Sequence, residues 1–197
     1  MSNSLIALLL PAIMLLQSPV TSSGIMPIRI TSQSILIDSR VDRVVGLSIR
    51  ELHQQTITES SRLMKNGNLD NFSLSYVYCL RGSARAHFKQ YKSAVADLAK
   101  AIELNPKIEG QNRLYRISSD CCAAMGNYKD AVEAVTKSLE IEPSGLSLFK
   151  RAIYFVKLKK YEAGLKDLEQ SKQFKDCPER DVAKLKLICL SKIPCKE

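Results

Sequence analysis

Tryptophan is absent from this 197-residue chain, and histidine occurs only twice, at His53 and His87. Chemistry that rests on several imidazoles therefore lacks its parts. There is no phosphate-cradling glycine loop, no Gly-x-Ser-x-Gly elbow and no His-Glu-x-x-His helix. No Cys-x-x-Cys pair occurs either, so the spacing of a zinc site is missing. Cys79 and His87 lie about two helical turns apart, roughly 12 Å along a helix axis, too far for a nucleophile to reach its base. The expectation is a protein that is not an enzyme and that carries no cofactor and no metal.

Long apolar runs are scarce too. The one candidate is residues 5–16, which would rise about 18 Å as a helix against a bilayer core of roughly 30 Å. Small polar residues follow it, with cleavage positions after Ser22 and after Gly24, which is the layout of a secretory signal peptide over residues 1–24. No Lys or Arg precedes Arg29, and the segment holds no cysteine for a lipid. Export to a periplasm or exterior is the expected localisation; an uncleaved membrane anchor or a cytoplasmic first helix are the alternatives. Residues 25–40 show no helical period, and Ile28, Ile30, Ile35 and Ile37 hint at an extended, loosely ordered arm, placed at 25–47.

What the chain has is 45% hydrophobic and 25% charged residues, enough apolar surface for a continuous core. The net charge of +9 is uneven, with thirteen basic against seven acidic residues beyond position 144. Lys150, Arg151, Lys157, Lys159, Lys160 and Lys166 crowd together there. Such a field favours acidic partners or anionic surfaces, or is a solvated helix face.

Self-similarity is the clearest signal. Tyr91-Lys-Ser-Ala94-Val recurs as Tyr128-Lys-Asp-Ala131-Val and as Tyr161-Glu-Ala-Gly164-Leu, at intervals of 37 residues (91 to 128) and 33 residues (128 to 161). Each phrase enters a stretch of helical period, and Pro106 and Pro143 close the first two. These segments resemble tetratricopeptide repeats, helix-turn-helix units of about 34 residues. The pattern falls on Tyr78, Gly82, Ala94, Leu98 and Pro106, then on Tyr115, Ser119, Ala131, Val135 and Pro143. It falls a third time on Leu148, Ala152, Phe155, Gly164 and Leu168. Arg85 and Cys122 stand where an aromatic is usual, Lys107 to Gln111 lengthen one linker, and Asp176 replaces the closing proline.

The expected fold is an all-α solenoid with repeats at 75–108, 112–144 and 145–176. A leading helix at 48–67 opens on a capping box, Ser48-Ile-Arg-Glu51, and stops at Gly67; a capping helix at 178–193 closes the stack. The stretch from Glu51 through Pro106, with Leu80-Arg81-Gly82, further resembles small exported bacterial repeat proteins.

The resemblance implies a protein-binding groove lined by the first helix of each pair. On this register the lining residues are Tyr76, Cys79, Ser83 and His87, then Arg113, Arg116 and Asp120, then Leu146, Phe149, Lys150, Ile153 and Lys157. Arg113 and Arg116 share a helix face and are placed to fork onto a carboxylate. A capping helix lying over Phe149 and Ile153 is the competing reading. The partner is expected to be a protein or peptide, acidic in character. The pattern for clamping acidic chaperone C-termini is absent, with only Lys150 conforming. Nucleic acid is disfavoured, since exposed aromatics do not interleave the basic residues, and membrane contact is expected only through the N-terminal apolar segment. The six cysteines are expected to be mostly free, with Cys189–Cys195 the one conceivable bridge.

Overall fold

A computed structural model describes residues 38–193. The apolar segment 5–16, its cleavage positions, residues 25–37 of the arm and Cys195 lie outside the described residues. Within them are nine helices and no strand. These are α1 (Ser39–Ile49), α2 (His53–Asn66), α3 (Asn71–His87), α4 (Tyr91–Leu104), α5 (Gln111–Ala124), α6 (Tyr128–Ile141), α7 (Gly145–Lys157), α8 (Tyr161–Ser171) and α9 (Glu179–Lys192). No helix among the described residues is long and apolar enough to cross a membrane.

The three expected repeats are the pairs α3–α4, α5–α6 and α7–α8, and each second helix also packs on the first helix of the next pair. Small residues make this approach possible. A Cβ on Gly82 would sit 3.0 Å from Leu98 Cγ and 3.1 Å from Asp97 Cβ, so α3 lies on α4 where no larger residue fits.

The N-terminal reading needs correction. Residues 39–49 are not an extended arm but a helix, capped by the Asp38 carboxylate, which accepts from Arg40 N. Its apolar side, Val41 and Val44, is fully buried. Ser48 and Glu51 do not open a helix; Ser48 lies at the end of α1 and Glu51 in the turn that follows, donating its N–H to Ser48 O. The expected leading helix is therefore the second member of a pair, α1–α2.

Four equivalent turns identify that pair as a counterpart of the others. Glu51, Lys89, Gly126 and Lys159 occupy the same place between the two helices of each pair, all left-handed, with φ of 56°, 59°, 81° and 59°. The hydrogen bonds repeat as well. Lys89 N donates to Ala86 O and Gln90 N to Arg85 O, while Lys159 N donates to Val156 O and Lys160 N to Phe155 O. Three of the four turns thus place a residue with a side chain where glycine fits best, and a left-handed non-glycine residue costs about 1–2 kcal/mol. After glycine's greater freedom in the unfolded chain is subtracted, Lys89→Gly and Lys159→Gly are each expected to stabilise by about 0.5–1 kcal/mol. Urea midpoints of the single variants check this; unchanged midpoints would mean that the turns carry no strain.

Charged clamps fasten the stack. Arg81 donates from Nε and Nη2 to the two Asp97 oxygens at 2.9 and 2.8 Å, and from Nη1 to Ser61 Oγ on α2 at 3.2 Å. Arg151 repeats the arrangement, reaching Asp167 at 2.7 and 2.8 Å and Thr136 Oγ1 on α6 at 3.1 Å. Each arginine thereby ties its own pair to the pair before it. Ser118, Ala134 and Ala99 occupy the three corresponding places around α5, so this joint is held by packing instead. The longer linker contributes to that packing, since Ile108 is buried among Tyr76, Val77, Leu80 and Leu114.

The unusual repeat positions find uses. Arg85, in an aromatic's place, gives Asp97 a second guanidinium at 2.7 Å. Cys122 is an apolar filler beside Ala131 and Val135. Asp176, in the proline's place, caps α7 by accepting from Ser144 Oγ, Gly145 N and Leu146 N. Burial works to raise the Asp176 pKa, but these three donors prevail and hold it below the usual carboxylate range.

Candidate partner-binding face

The first helices of successive pairs lie side by side, α1 against α3, α3 against α5 and α7 against α9. The residues expected on this face separate into covered, internally paired and available groups.

Tyr76 and Cys79 are covered, at 5% and 1% exposure, because α5 and Ile108 pack over that side of α3. Burial pushes the Cys79 thiol up to about 12, so it holds no thiolate near neutral pH. Ser83 spends its hydroxyl on Cys79 O. Phe149 packs against Val182 and Leu185 of α9, as the competing reading had it. Ile153 instead joins the apolar cluster around Tyr154, Cys122 and Val135. None of Tyr76, Cys79, Ser83, Phe149 or Ile153 is placed to meet a partner freely.

Asp120 and Lys150, expected separately, are joined to each other. Lys150 Nζ lies 2.8 and 2.7 Å from the two Asp120 oxygens, and Tyr154 donates to the same carboxylate at 3.1 Å. The contact bridges α5 and α7. Together with the Arg151–Asp167 clamp, it removes two cations from the basic crowd of the C-terminal third. Lys157 is exposed at the end of α7, and Leu146 is 38% exposed at its beginning.

His87 is exposed at the end of α3, but it is not alone. Its ring stacks on His53 at 4.0 Å between centroids, tilted by 34°, and Phe88 stands nearly perpendicular to both rings. The chain's two histidines thus meet across the α2–α3 contact. The sequence signal was that His53 stands where Tyr91, Tyr128 and Tyr161 open the other second helices. Burial, then the neighbouring His87, lowers the His53 pKa from 6.5, while Glu51 opposes them. A histidine whose folded pKa is lowered protonates more readily when unfolded, so its contribution is whole above its unfolded pKa and is lost as pH falls below it. Stability is therefore expected to decline below about pH 6.5, more steeply in the wild type than in His53→Gln. Thermal midpoints at pH 7.5 and 5.5 test this, and parallel declines in both proteins would exclude the pair as the cause.

Arg113 and Arg116 stand on one face of α5, both half-buried. Burial lowers the Arg113 pKa, and the nearby Arg116 charge adds to the effect while Cys79 opposes it. Arg116 lines a polar recess of about 240 Å³ at the junction of α5, α6 and α7, with Asn112, Glu142, Ser144, Ser147 and Asp176 around it. Both carboxylates there are engaged: Asn112 donates to Glu142, and Asp176 caps α7. The Arg116 guanidinium forms no hydrogen bond or ion pair among the described residues. It contrasts with Arg81, Arg85 and Arg151 on neighbouring first helices, which are neutralised by Asp97 and Asp167.

The family model for the tetratricopeptide repeat matches residues 75–108 and 113–144. These are the pairs α3–α4 and α5–α6. Residues 75–144 carry tetratricopeptide repeats. The α1–α2 and α7–α8 pairs extend the same repeat geometry beyond the matched residues. Among solved structures, MamA 41-end from Desulfovibrio magneticus RS-1 is 12% identical, with a TM-score of 0.61 over 79% of this chain and 96% of that one. A MamA RS-1 ArsTM double mutant is similar at 11% identity, with the same TM-score and coverage. TTC0263, a thermophilic TPR protein in Thermus thermophilus, is 12% identical over 77% of this chain and 97% of that one, with a TM-score of 0.47. At such identities the likeness concerns the fold. Comparison with curated proteins gave no match. Stacked tetratricopeptide repeats make scaffolds for contacts with other proteins, and among the described residues no cluster of His, Cys, Asp and Glu is placed to hold a metal ion.

Proposed function

We propose that this repeat protein holds a segment of a partner polypeptide along the face of its first helices, with a partner carboxylate on Arg116. The observation that carries this reading is the unneutralised, half-buried guanidinium on a first helix, where Arg81, Arg85 and Arg151 of the neighbouring first helices are paired. A charge kept partly out of water without a counter-ion costs free energy, which an incoming carboxylate recovers. The recess also presents Glu142 and Asp176, whose remaining lone pairs favour hydrogen-bond donors. A peptide supplies both needs, an acidic side chain and main-chain N–H groups. His87 and Lys157 mark the two ends of the accessible face.

The alternative, nucleic acid or another anionic surface on the basic C-terminal third, rests on fewer cations than the sequence offered, because Lys150 and Arg151 are paired. Affinity capture with wild-type and Arg116→Glu baits tests the leading reading. Loss of the captured protein from the variant supports it, whereas equal capture by both baits removes Arg116 from the site. Export directed by residues 1–24 is part of the proposal, because it decides which extracts hold the partner.

A further inference from the structure

The recess beside Arg116 is lined by polar groups that the fold leaves unsatisfied. Ser138, in the last turn of α6, and Ser147, in the first turn of α7, both line it and are 1% and 0% exposed. Neither hydroxyl has a hydrogen-bond partner. Other covered helix serines spend theirs on the preceding turn. Ser75 Oγ donates to Phe72 O, Ser119 Oγ to Arg116 O and Ser171 Oγ to Leu168 O. Among the described residues four buried side-chain atoms lack a partner, and two of them are these hydroxyls. The other two, on Ser60 and Arg85, belong to α2 and α3. A buried hydroxyl without a partner carries a desolvation penalty, which an occupant bearing acceptor atoms removes. Rotation about χ1 between staggered wells is enough to turn a serine oxygen toward such an occupant. The charges in the recess are unequal, one guanidinium on Arg116 against carboxylates on Glu142 and Asp176. Asp176 already accepts from Ser144 and the first amides of α7, whereas Glu142 accepts only from Asn112.

We propose that the recess binds a compact zwitterionic element of the partner chain, an acidic residue next to a basic one. This occupant rests on Arg116 as the anchor proposed above and adds the groups around it. The partner carboxylate takes Arg116 together with the Ser138 and Ser147 hydroxyls, which suits a group with about four lone-pair sites. The neighbouring ammonium or guanidinium meets Glu142. Charge favours this pairing. A carboxylate alone would set three negative groups against one positive, and Glu142 and Asp176 would oppose a dianionic phosphate more strongly still. Size agrees, since a space of about 240 Å³ admits side chains and a short stretch of backbone but no folded surface.

The test is an array of synthetic octapeptides, alanine and serine outside two adjacent central positions that take every residue pair and phosphoserine, probed with the full-length protein. Pairs of one acidic and one basic residue are expected to bind about threefold more tightly than the same acid beside glutamine. Phosphoserine pairs should bind more weakly than either. Ser138→Ala/Ser147→Ala should lower the affinity for acidic pairs by at least about tenfold, because hydrogen bonds to a charged group are lost. Its thermal midpoint should be unchanged or higher, since each substitution removes an unsatisfied buried group; a structural role would lower it. Glu142→Gln should erase the preference for a basic neighbour and spare binding of the acid. Equal affinity for Glu-Lys and Glu-Gln peptides overturns the proposal, as does wild-type affinity in the serine variant or the binding of no peptide. In the first two cases Arg116→Glu still decides the anchor separately: loss of the acidic peptides from that variant keeps Arg116 in place. Wild-type binding by Arg116→Glu removes the anchor and the zwitterionic occupant together.

Discussion

Asp97→Ala is expected to lower the unfolding free energy by about 3–5 kcal/mol, the cost of leaving a buried ionic partner uncompensated. Asp97 is 4% exposed and serves two guanidinium groups, Arg81 and Arg85, which are themselves largely covered. Removing it strands both charges inside the α3–α4 contact and loosens the tie from Arg81 to Ser61 on α2. For a domain whose whole stability is on the order of 10 kcal/mol, this is a large fraction. Asp167→Ala breaks the matching clamp in α7–α8 but strands only Arg151, so a smaller loss is expected. Adding Arg81→Met to Asp97→Ala should recover part of the loss, because one uncompensated charge goes and a side chain of similar length remains. Urea unfolding with an unchanged slope measures all three. A loss under about 1 kcal/mol for Asp97→Ala would mean that the clamp is solvated and contributes only as surface ion pairs do.

The clamps were legible in the sequence, though register alone did not pick them out. Arg81 with Asp97 and Arg151 with Asp167 are each sixteen residues apart, and both partners are missing together at Ser118 and Ala134. Reading Arg151 as one of a crowd of basic residues hid its role. The three central pairs were visible because Tyr91, Tyr128 and Tyr161 open phrases that share small and apolar residues. The α1–α2 pair was not, because His53, Thr56 and Ser60 stand where tyrosine, alanine or glycine, and leucine or valine stand elsewhere, and Gly46 weakens the helical signal within α1. Its identity rests on a backbone feature, the left-handed Glu51, that no residue type announces.

The candidate site was readable to a similar degree. Register indicates which residues lie on the first-helix face, and Arg116, His87 and Lys157 do lie there accessibly. It does not indicate what covers them. Tyr76 is buried in a cluster that includes Ile108 of the long linker, and Phe149 is partly covered by α9. Asp120 and Lys150 are far apart in sequence and satisfy each other, a pairing that depends on how two helices are set side by side.

Arg116→Glu is expected to weaken partner binding by about 30-fold or more, since breaking a desolvated charge pair at an interface costs about 2–5 kcal/mol. The substitution exchanges an attraction for a repulsion and adds a third carboxylate to the recess beside Glu142 and Asp176. The fold should tolerate it, because Arg116 is only half-buried and no internal carboxylate depends on it. Arg116→Gln should have a smaller effect, retaining some hydrogen bonding without the charge. Arg113 makes a poorer test, since it is packed near Cys79 and its replacement would disturb the core.

The decisive measurement is a titration of the protein captured by wild-type bait onto purified wild type and Arg116→Glu at matched salt. Partner anchoring on this face predicts a dissociation constant at least about 30-fold higher for the variant, with unchanged helical content. Equal dissociation constants for the two proteins would contradict it, placing the partner elsewhere on a repeat scaffold whose fold would be unaffected.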